Sequence, residues 1–322
     1  MRAIQIHRTG GPEVLELIEL DPPTPGPGEI LVKHAAIGLN FIDTYQRSGL
    51  YPLDLPTVLG REAAGVVEAV GEGVADFEPG DRVAYVTAGG AYADYNALPA
   101  DQAIRLPDAI AFETGAACML KGMTAEFLAE QIWPLSAGDH VLVHAAAGGV
   151  GAILCQWLHH RGVKVIGTAG SAEKVEFAKA HGCDHVIAYR DADVAAEVRA
   201  LTDGQGVKVA YDSVGKDTAE ASLGSLAKRG LFVTFGNASG PVPPVAPLEL
   251  SRRGSLFMTR PTLFDYIATP AAFRASAGAL FEMIASGAVK IEIGQRFALA
   301  DVRSAHEALE SRATTGATVL VP

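Results

Sequence analysis

Cysteine is scarce in this 322-residue chain: Cys118, Cys155 and Cys183 are the only three, and they are widely spaced. Such a set builds neither a disulfide framework nor a paired-cysteine metal knuckle, which excludes small cross-linked scaffolds and the common structural zinc lobes. Long apolar runs are also missing. No stretch of about 18 uncharged apolar residues occurs, and the opening MRAIQIHRTGG has no apolar leader. Basic charge is in deficit, with 26 Lys and Arg against 37 Asp and Glu, a net charge of −11. A phosphate backbone repels that balance, which disfavours nucleic acid as a partner, although a small anion answers to local charge. These absences predict a soluble, cytoplasmic globular protein with no membrane partner.

Glycine, by contrast, is abundant. There are 35 in a chain that is 49% hydrophobic, about 11% against a usual ~7%, which points to tight turns and close backbone approaches rather than disorder. The length predicts roughly two domains. Up to about residue 120 the pattern is strand and turn: Ile4 and Ile6 alternate with polar neighbours, and Val14, Leu15, Leu17 and Ile18 read as a short strand. DPPTPGPGEILVKHAAIG and REAAGVVEAVGEGVADFEPGDRVAYV add strands joined by Gly and Pro turns. Many short strands at this spacing suggest an irregular barrel or sandwich.

After about residue 124 strands and helices alternate. The expected strands are 140–144, 163–168, 185–188, 207–211, 231–235 and 255–259. The expected helices are one running through Trp157, then 171–180, 192–201 and 217–227, with 271–286 and 303–311 near the end. PVPPVAP at 241–247 reads as an ordered loop. This alternation is what a doubly wound parallel sheet with helices on both faces requires.

The most informative turn is His144-Ala-Ala-Ala-Gly148-Gly149-Val150-Gly151, which follows a strand and opens a helix. Aligned to GxGxxG it is Ala146-x-Gly148-x-x-Gly151, with alanine at the first position. Gly148 lets backbone approach a pyrophosphate, Gly151 lets the helix pack on the strand, and the helix N-terminus faces the phosphates. A site for NAD places an acid at the end of the second strand. Here that strand ends Gly167-Thr168-Ala169-Gly170-Ser171, with no carboxylate, and Lys174 follows. An acid ~5 Å from a 2′-phosphate would cost about 3 kcal/mol at an effective dielectric of ~20. The missing acid, with Ser171 and Lys174 in its place, predicts NADPH.

GPEVLEL (11–17), NFIDTYQRSGLYP (40–52), GREAAGVVEAVGEGV (60–74), PGDRVAY (79–85), LKGMTAEFL (120–128), HAAAGGVG (144–151), YDSVG (211–215) and LESRATTG (309–316) together give a specific pattern. The chain resembles the zinc-independent medium-chain dehydrogenases/reductases, in particular the zeta-crystallin-like NADPH:quinone oxidoreductases. The resemblance implies a Rossmann domain, residues 125–261, inserted into a GroES-like, mostly β catalytic domain formed by 1–124 and 262–322. It also implies a cleft between them and a homodimer built through Rossmann edge strands. The zinc-dependent branch has a cysteine where this chain has Asn40, and Gly-His-Glu where it has Gly60-Arg61-Glu62. Without those ligands a catalytic zinc lacks its usual set, so no metal is expected, and a quinone fits better than an alcohol.

By the same resemblance, Asn40, Asp43 and Tyr45 lie near nicotinamide and substrate. As hydroxyl and amide groups, Tyr45 and Tyr51 are candidate hydrogen-bond donors to the quinone and Asn40 a polar orienter. Thr124 approaches the nicotinamide. Gly149 and Val150 cover the pyrophosphate beside Gly148 and Gly151. Gly170, Ser171, Lys174 and Tyr189 reach the adenosine phosphate and ribose. Ser213, Phe235 and Gly236 follow strand ends, and Arg312 closes over the site. The competing readings are an enoyl or α,β-unsaturated ketone reductase with the same cofactor, and a non-catalytic NADPH-binding structural or RNA-binding protein.

Overall fold

The computed structural model describes residues 1–190 and 192–322. The chain divides into two compact units: Met1–Lys121 with Thr269–Gly278 and Ile291–Pro322, and Gly122–Ala268 with Ala279–Lys290.

The first stretch carries β1 (Arg2–Ile6), β2 (Glu16–Glu19), β3 (Glu29–Leu39), α1 (Phe41–Ser48), β4 (Thr57–Val58), β5 (Glu62–Val70), β6 (Arg82–Val86), β7 (Tyr95–Pro99), β8 (Ala103–Arg105) and the start of α2 (Phe112–Glu130). The middle carries β9 (His140–Val143), α3 (Gly149–His160), β10 (Lys164–Ala169), α4 (Ala172–Ala180), β11 (His185–Ala188), α5 (Val194–Leu201), β12 (Val207–Asp212), α6 (Ala219–Ser225), β13 (Leu226–Thr234), α7 (Pro247–Arg252), β14 (Phe257–Thr259) and α8 (Leu263–Tyr266). The last stretch carries α9 (Pro270–Ala285), β15 (Ile293–Ala298), α10 (Val302–Glu310) and β16 (Ala317–Val321).

In the first unit, seven strands form one sheet in the order β15-β16-β3-β5-β6-β8, with β7 also on β3, and β2-β1-β4 form a second. All pairs are antiparallel except β15 with β16. Ile4, Ile6, Ile30, Val32, Val83, Tyr85 and Tyr92 make a common core with Leu299, Val302 and Leu309 from the C-terminal stretch. This is the GroES-like, mostly β part of the fold. Val14 and Leu15 are not strand: Pro12 opens a short 3-10 turn over Pro12–Val14, and β2 starts two residues after it. Both side chains are nevertheless buried, so their apolar character reflects core rather than pleat.

In the second unit, all six strands are parallel in the order β11-β10-β9-β12-β13-β14. Val141, Leu142 and Val143 are fully buried, as expected for strands covered on both faces. The order reverses between β9 and β12, and doubly wound sheets bind ligands outside the carboxyl ends of strands at such a switch. This is the Rossmann arrangement. Helix α6 is shorter than its sequence pattern, because Leu226 and Ala227 already belong to β13, whose register shifts between Leu226 and Leu231. The proline-rich loop ends one residue early, since Pro247 sits at the start of α7, where its missing N–H costs nothing. Among the described residues, no helix is long and apolar enough to cross a membrane.

Candidate cofactor and substrate sites

The turn after β9 is built by backbone bonds. Ala145 takes a left-handed φ of 52°, its carbonyl accepts from Gly148 N at 2.9 Å, and α3 begins at Gly149. A Cβ on Gly151 would overlap the Ala145 carbonyl oxygen and stand 3.0 Å from Ala146 Cα, so only glycine lets α3 start this close to the turn. Among the described residues, the N–H groups of Gly149, Val150 and Gly151 meet no acceptor. Three free donors at the N-terminus of a 12-residue helix, at the end of the first strand, suit a pyrophosphate.

The neighbouring strand end is tied to the same turn. Thr168 Oγ1 accepts from Ala145 N at 3.3 Å and lies 3.1 Å from His144 Nδ1, while the Thr168 carbonyl accepts from Ala146 N at 3.0 Å. Beyond Ala169, Gly170 packs under Tyr189, whose hydroxyl would be 2.7 Å from a Cβ at 170. Ser171 caps α4 by accepting from Lys174 N at 3.3 Å, which places residue 174 in the first helical turn. No acid stands between Thr168 and Ala172, so the donor set suits a phosphorylated ribose.

Across the switch point, Asp212 is fully buried and accepts from Val214 N, Gly215 N, Thr218 Oγ1 and Ser222 Oγ, all at 2.8–2.9 Å. Its charge is thereby spent on shaping the loop that carries Ser213. Phe235 N donates to the Asp212 carbonyl at 2.8 Å, and Gly236 packs directly against Ser213. Ser213 and Phe235 are half-buried, and Thr124 is buried within α2.

In the first unit, Asn40 and Asp43 open α1, and Gly49 at φ 84° ends it. Asp43 Oδ2 accepts from Asn40 N at 2.8 Å and from Tyr92 OH at 2.7 Å, whereas Asp43 Oδ1 is buried and meets no partner among the described residues. Burial pushes the Asp43 carboxyl up to about 6, against the pull of those two donors. The Asn40 side chain donates to Glu62 Oε1 at 2.8 Å, an oxygen also held by Lys121 Nζ at 2.7 Å. Leu120 N donates to Glu62 Oε2 at 2.7 Å. Tyr45 and Tyr51 meet edge to face with centroids 5.5 Å apart. Arg312 follows α10 in a left-handed conformation, φ 60°.

The structure therefore brings the expected residues together as Asn40 with Asp43, Tyr45 with Tyr51, Gly170 with Tyr189, Ser171 with Lys174 and Ser213 with Gly236. Asp43 is fully buried and acts on the Asn40 amide rather than facing solvent. Sequence reasoning missed Glu62, Tyr92, Lys121, His144 and Asp212. A charged residue opening or closing a strand of apolar neighbours, as in Glu62-Ala-Ala-Gly and Ala-Tyr-Asp212, was the available signal.

Three buried histidines, His34, His144 and His306, set a pH dependence, and burial lowers His144 in the same direction as the other two. His34 Nδ1 bonds the Ala93 carbonyl at 2.6 Å and its Nε2 lies 2.8 Å from Tyr85 OH. Burial lowers His34 to about 4, and burial with the adjacent Arg47 lowers His306 to about 3. Both are neutral when folded, so the unfolded chain gains protons first as pH falls below about 6.5, and stability is lost. Asp43 works in the opposite sense, gaining its folded-state proton near pH 6 and offsetting one histidine. From His34, His306 and Asp43 alone, stability at pH 4.5 is expected to lie on the order of 3 kcal/mol below that at pH 7, and His144 adds to the loss. Urea unfolding at the two pH values checks this, and equal stabilities would contradict it.

The parallel sheet with its glycine turn after β9 is the fold of dinucleotide-binding oxidoreductases. Residues 26–108 match the alcohol dehydrogenase GroES-like domain family and residues 149–279 the zinc-binding dehydrogenase family. A quinone oxidoreductase of Pseudomonas aeruginosa is 53% identical over 100% of this chain and 99% of its own length. A 2-haloacrylate reductase of a Burkholderia species is 42% identical over 99% of this chain and 98% of its own. The structure of Escherichia coli quinone oxidoreductase complexed with NADPH matches with a TM-score of 0.98 at 47% identity, over 100% of both chains. The chain belongs to the quinone oxidoreductase family of the medium-chain dehydrogenases/reductases. Among the described residues, no group of three or more His, Cys, Asp or Glu side chains is placed to hold a metal.

Proposed function

We propose that the chain is an NADPH-dependent quinone oxidoreductase that works without a metal. The observation that carries the reading is the α3 N-terminus, with three unpartnered N–H groups beside a strand end that has no acid. Gly148 to Gly151 would hold the pyrophosphate, and Gly170, Ser171, Lys174 and Tyr189 the phosphorylated ribose. Thr124, Ser213, Phe235, Gly236, Asn40 and Arg312 would complete the cofactor's surroundings. NADPH, when bound, supplies the reducing equivalents for the quinone. The protein's part is positioning: Tyr45 and Tyr51 offer hydroxyls to a quinone oxygen, and Asn40 orients it. Glu62 supports the metal-free reading, because Asn40, Lys121 and Leu120 already use both its oxygens.

Replacing Lys174 by alanine tests the cofactor assignment. Loss of one ammonium–phosphate contact is expected to raise KM for NADPH about 10- to 100-fold while KM for NADH changes little. Equal effects on the two would contradict it. The Burkholderia relative favours a second reading, reduction of an activated carbon–carbon double bond by the same residues. We further propose a cytoplasmic homodimer joined along the edge strand β14, where Phe257 is half exposed.

A further inference from the structure

Helix α1 is tied to α10 by a chain of hydrogen bonds that is buried from Arg47 to Asp43. Arg47, in the last turn of α1, donates from Nη2 to Glu310 Oε1 at 2.6 Å and from Nη1 to Glu310 Oε2 at 3.0 Å. Arg47 Nη1 also lies 3.0 Å from His306 Nδ1. His306 Nε2 is 3.2 Å from the Tyr92 hydroxyl, with the two rings perpendicular. Tyr92 donates to Asp43, whose same oxygen takes the Asn40 amide. Tyr92, His306 and Asp43 are fully buried and Arg47 nearly so.

Counting hydrogens sets the direction of the chain. A guanidinium only donates, so His306 Nδ1 accepts. The single Tyr92 hydrogen goes to Asp43, so the ring proton of His306 sits on Nε2 and is given to the Tyr92 oxygen. Every bond then points from Arg47 toward Asp43. Among the described residues one Asp43 oxygen has no partner, so the carboxylate's orientation depends on the two donors at the other. Without Tyr92 the carboxylate would be held by the Asn40 amide alone. The charges facing this centre are Arg61 and Lys121 near Asp43, and Glu62 and Arg47 near Tyr92.

We propose that His306 and Tyr92 are positioning residues: acting through Asp43, they fix the first turn of α1 and so the angle at which Asn40 and Tyr45 are presented. The proposal rests on the quinone-reductase reading, which puts those two residues against substrate. His306 comes from α10 and Tyr92 from the segment before β7, so the start of α1 is set by residues remote in sequence.

Four variants test it. Tyr92→Phe and His306→Leu each break the chain. His306→Gln preserves it, because a glutamine amide can accept from Arg47 and donate to Tyr92. Breaking the chain is expected to lower kcat for quinone at least tenfold, with KM for NADPH changed less than threefold. His306→Gln should stay within threefold of the parent, and the double variant Tyr92→Phe/His306→Leu should be no slower than the worse single one. Nitrogen NMR should find His306 neutral with its proton on Nε2. A His306→Leu protein with undiminished kcat, a His306→Gln protein as slow as His306→Leu, or a proton on Nδ1 would each overturn the proposal. A parent protein that binds NADPH but reduces no quinone overturns the functional reading instead. The chain is then decided by carboxyl NMR, since Asp43 should titrate higher in Tyr92→Phe, and an unmoved titration overturns it.

Discussion

Glu62→Ala is expected to lower the unfolding free energy by about 3–5 kcal/mol, because breaking a buried ion pair leaves a charge without compensation. Glu62 is fully buried and Lys121 nearly so, their charged atoms 2.7 Å apart. Removing the carboxylate strands the Lys121 ammonium, the Leu120 N–H and the Asn40 side-chain amide together. The same substitution releases Asn40, so turnover should fall along with stability. Replacing both partners, as in Glu62→Leu with Lys121→Met, removes the stranded charge as well as the pair. The double variant should recover much of the loss, since buried pairs and apolar substitutes of similar volume differ little. Urea unfolding of the two variants reads both effects, and a loss below about 1 kcal/mol in the single variant would contradict the buried-pair account.

Gly151→Ala is expected to weaken NADPH binding at least tenfold and to cost about 1–3 kcal/mol of stability, the usual penalty of overpacking. The atoms an added Cβ would meet are the Ala145 carbonyl group and Ala146 Cα, all backbone, so no side chain can swing away. Relief requires α3 to withdraw from the turn, which moves the three free N–H groups from where a pyrophosphate would sit. Gly278→Ala is the control, for no described residue lies within 4 Å of a Cβ there and the residue is inside α9. That change should be neutral or stabilise by up to about 1 kcal/mol. Fluorescence titration with NADPH and thermal unfolding separate the two outcomes. Unaltered NADPH affinity in Gly151→Ala would contradict the close-approach role.

What the sequence made legible was local. The parallel sheet could be read because HVLV and VIGTA are short apolar runs buried on both faces and separated by helical stretches. Ser171 could be read as a cap because its partner, Lys174, is three residues away. The turn at 144–151 was readable for the same reason, although its left-handed residue is Ala145 rather than a glycine. The buried polar centre was not readable, because its bonds join distant positions. Glu62 and Lys121 are 59 residues apart, Tyr92 and His306 are 214, and Arg47 and Glu310 are 263. Asp43 could be singled out as a polar residue of helix α1, but its burial and its bond to Tyr92 depend on the folded chain. The early end of α6 escaped notice because Ala219 to Ala227 suits a helix locally, while pairing with β12 draws Leu226 into β13.

The most direct test of the central claim is cofactor oxidation followed against a panel of quinones, enones, enoyl thioesters and alcohols, with NADPH and NADH compared and a chelator present or absent. Turnover with quinones, a preference for NADPH over NADH, and no effect of the chelator are expected. Activity lost on chelation, or turnover of alcohols alone, would contradict it.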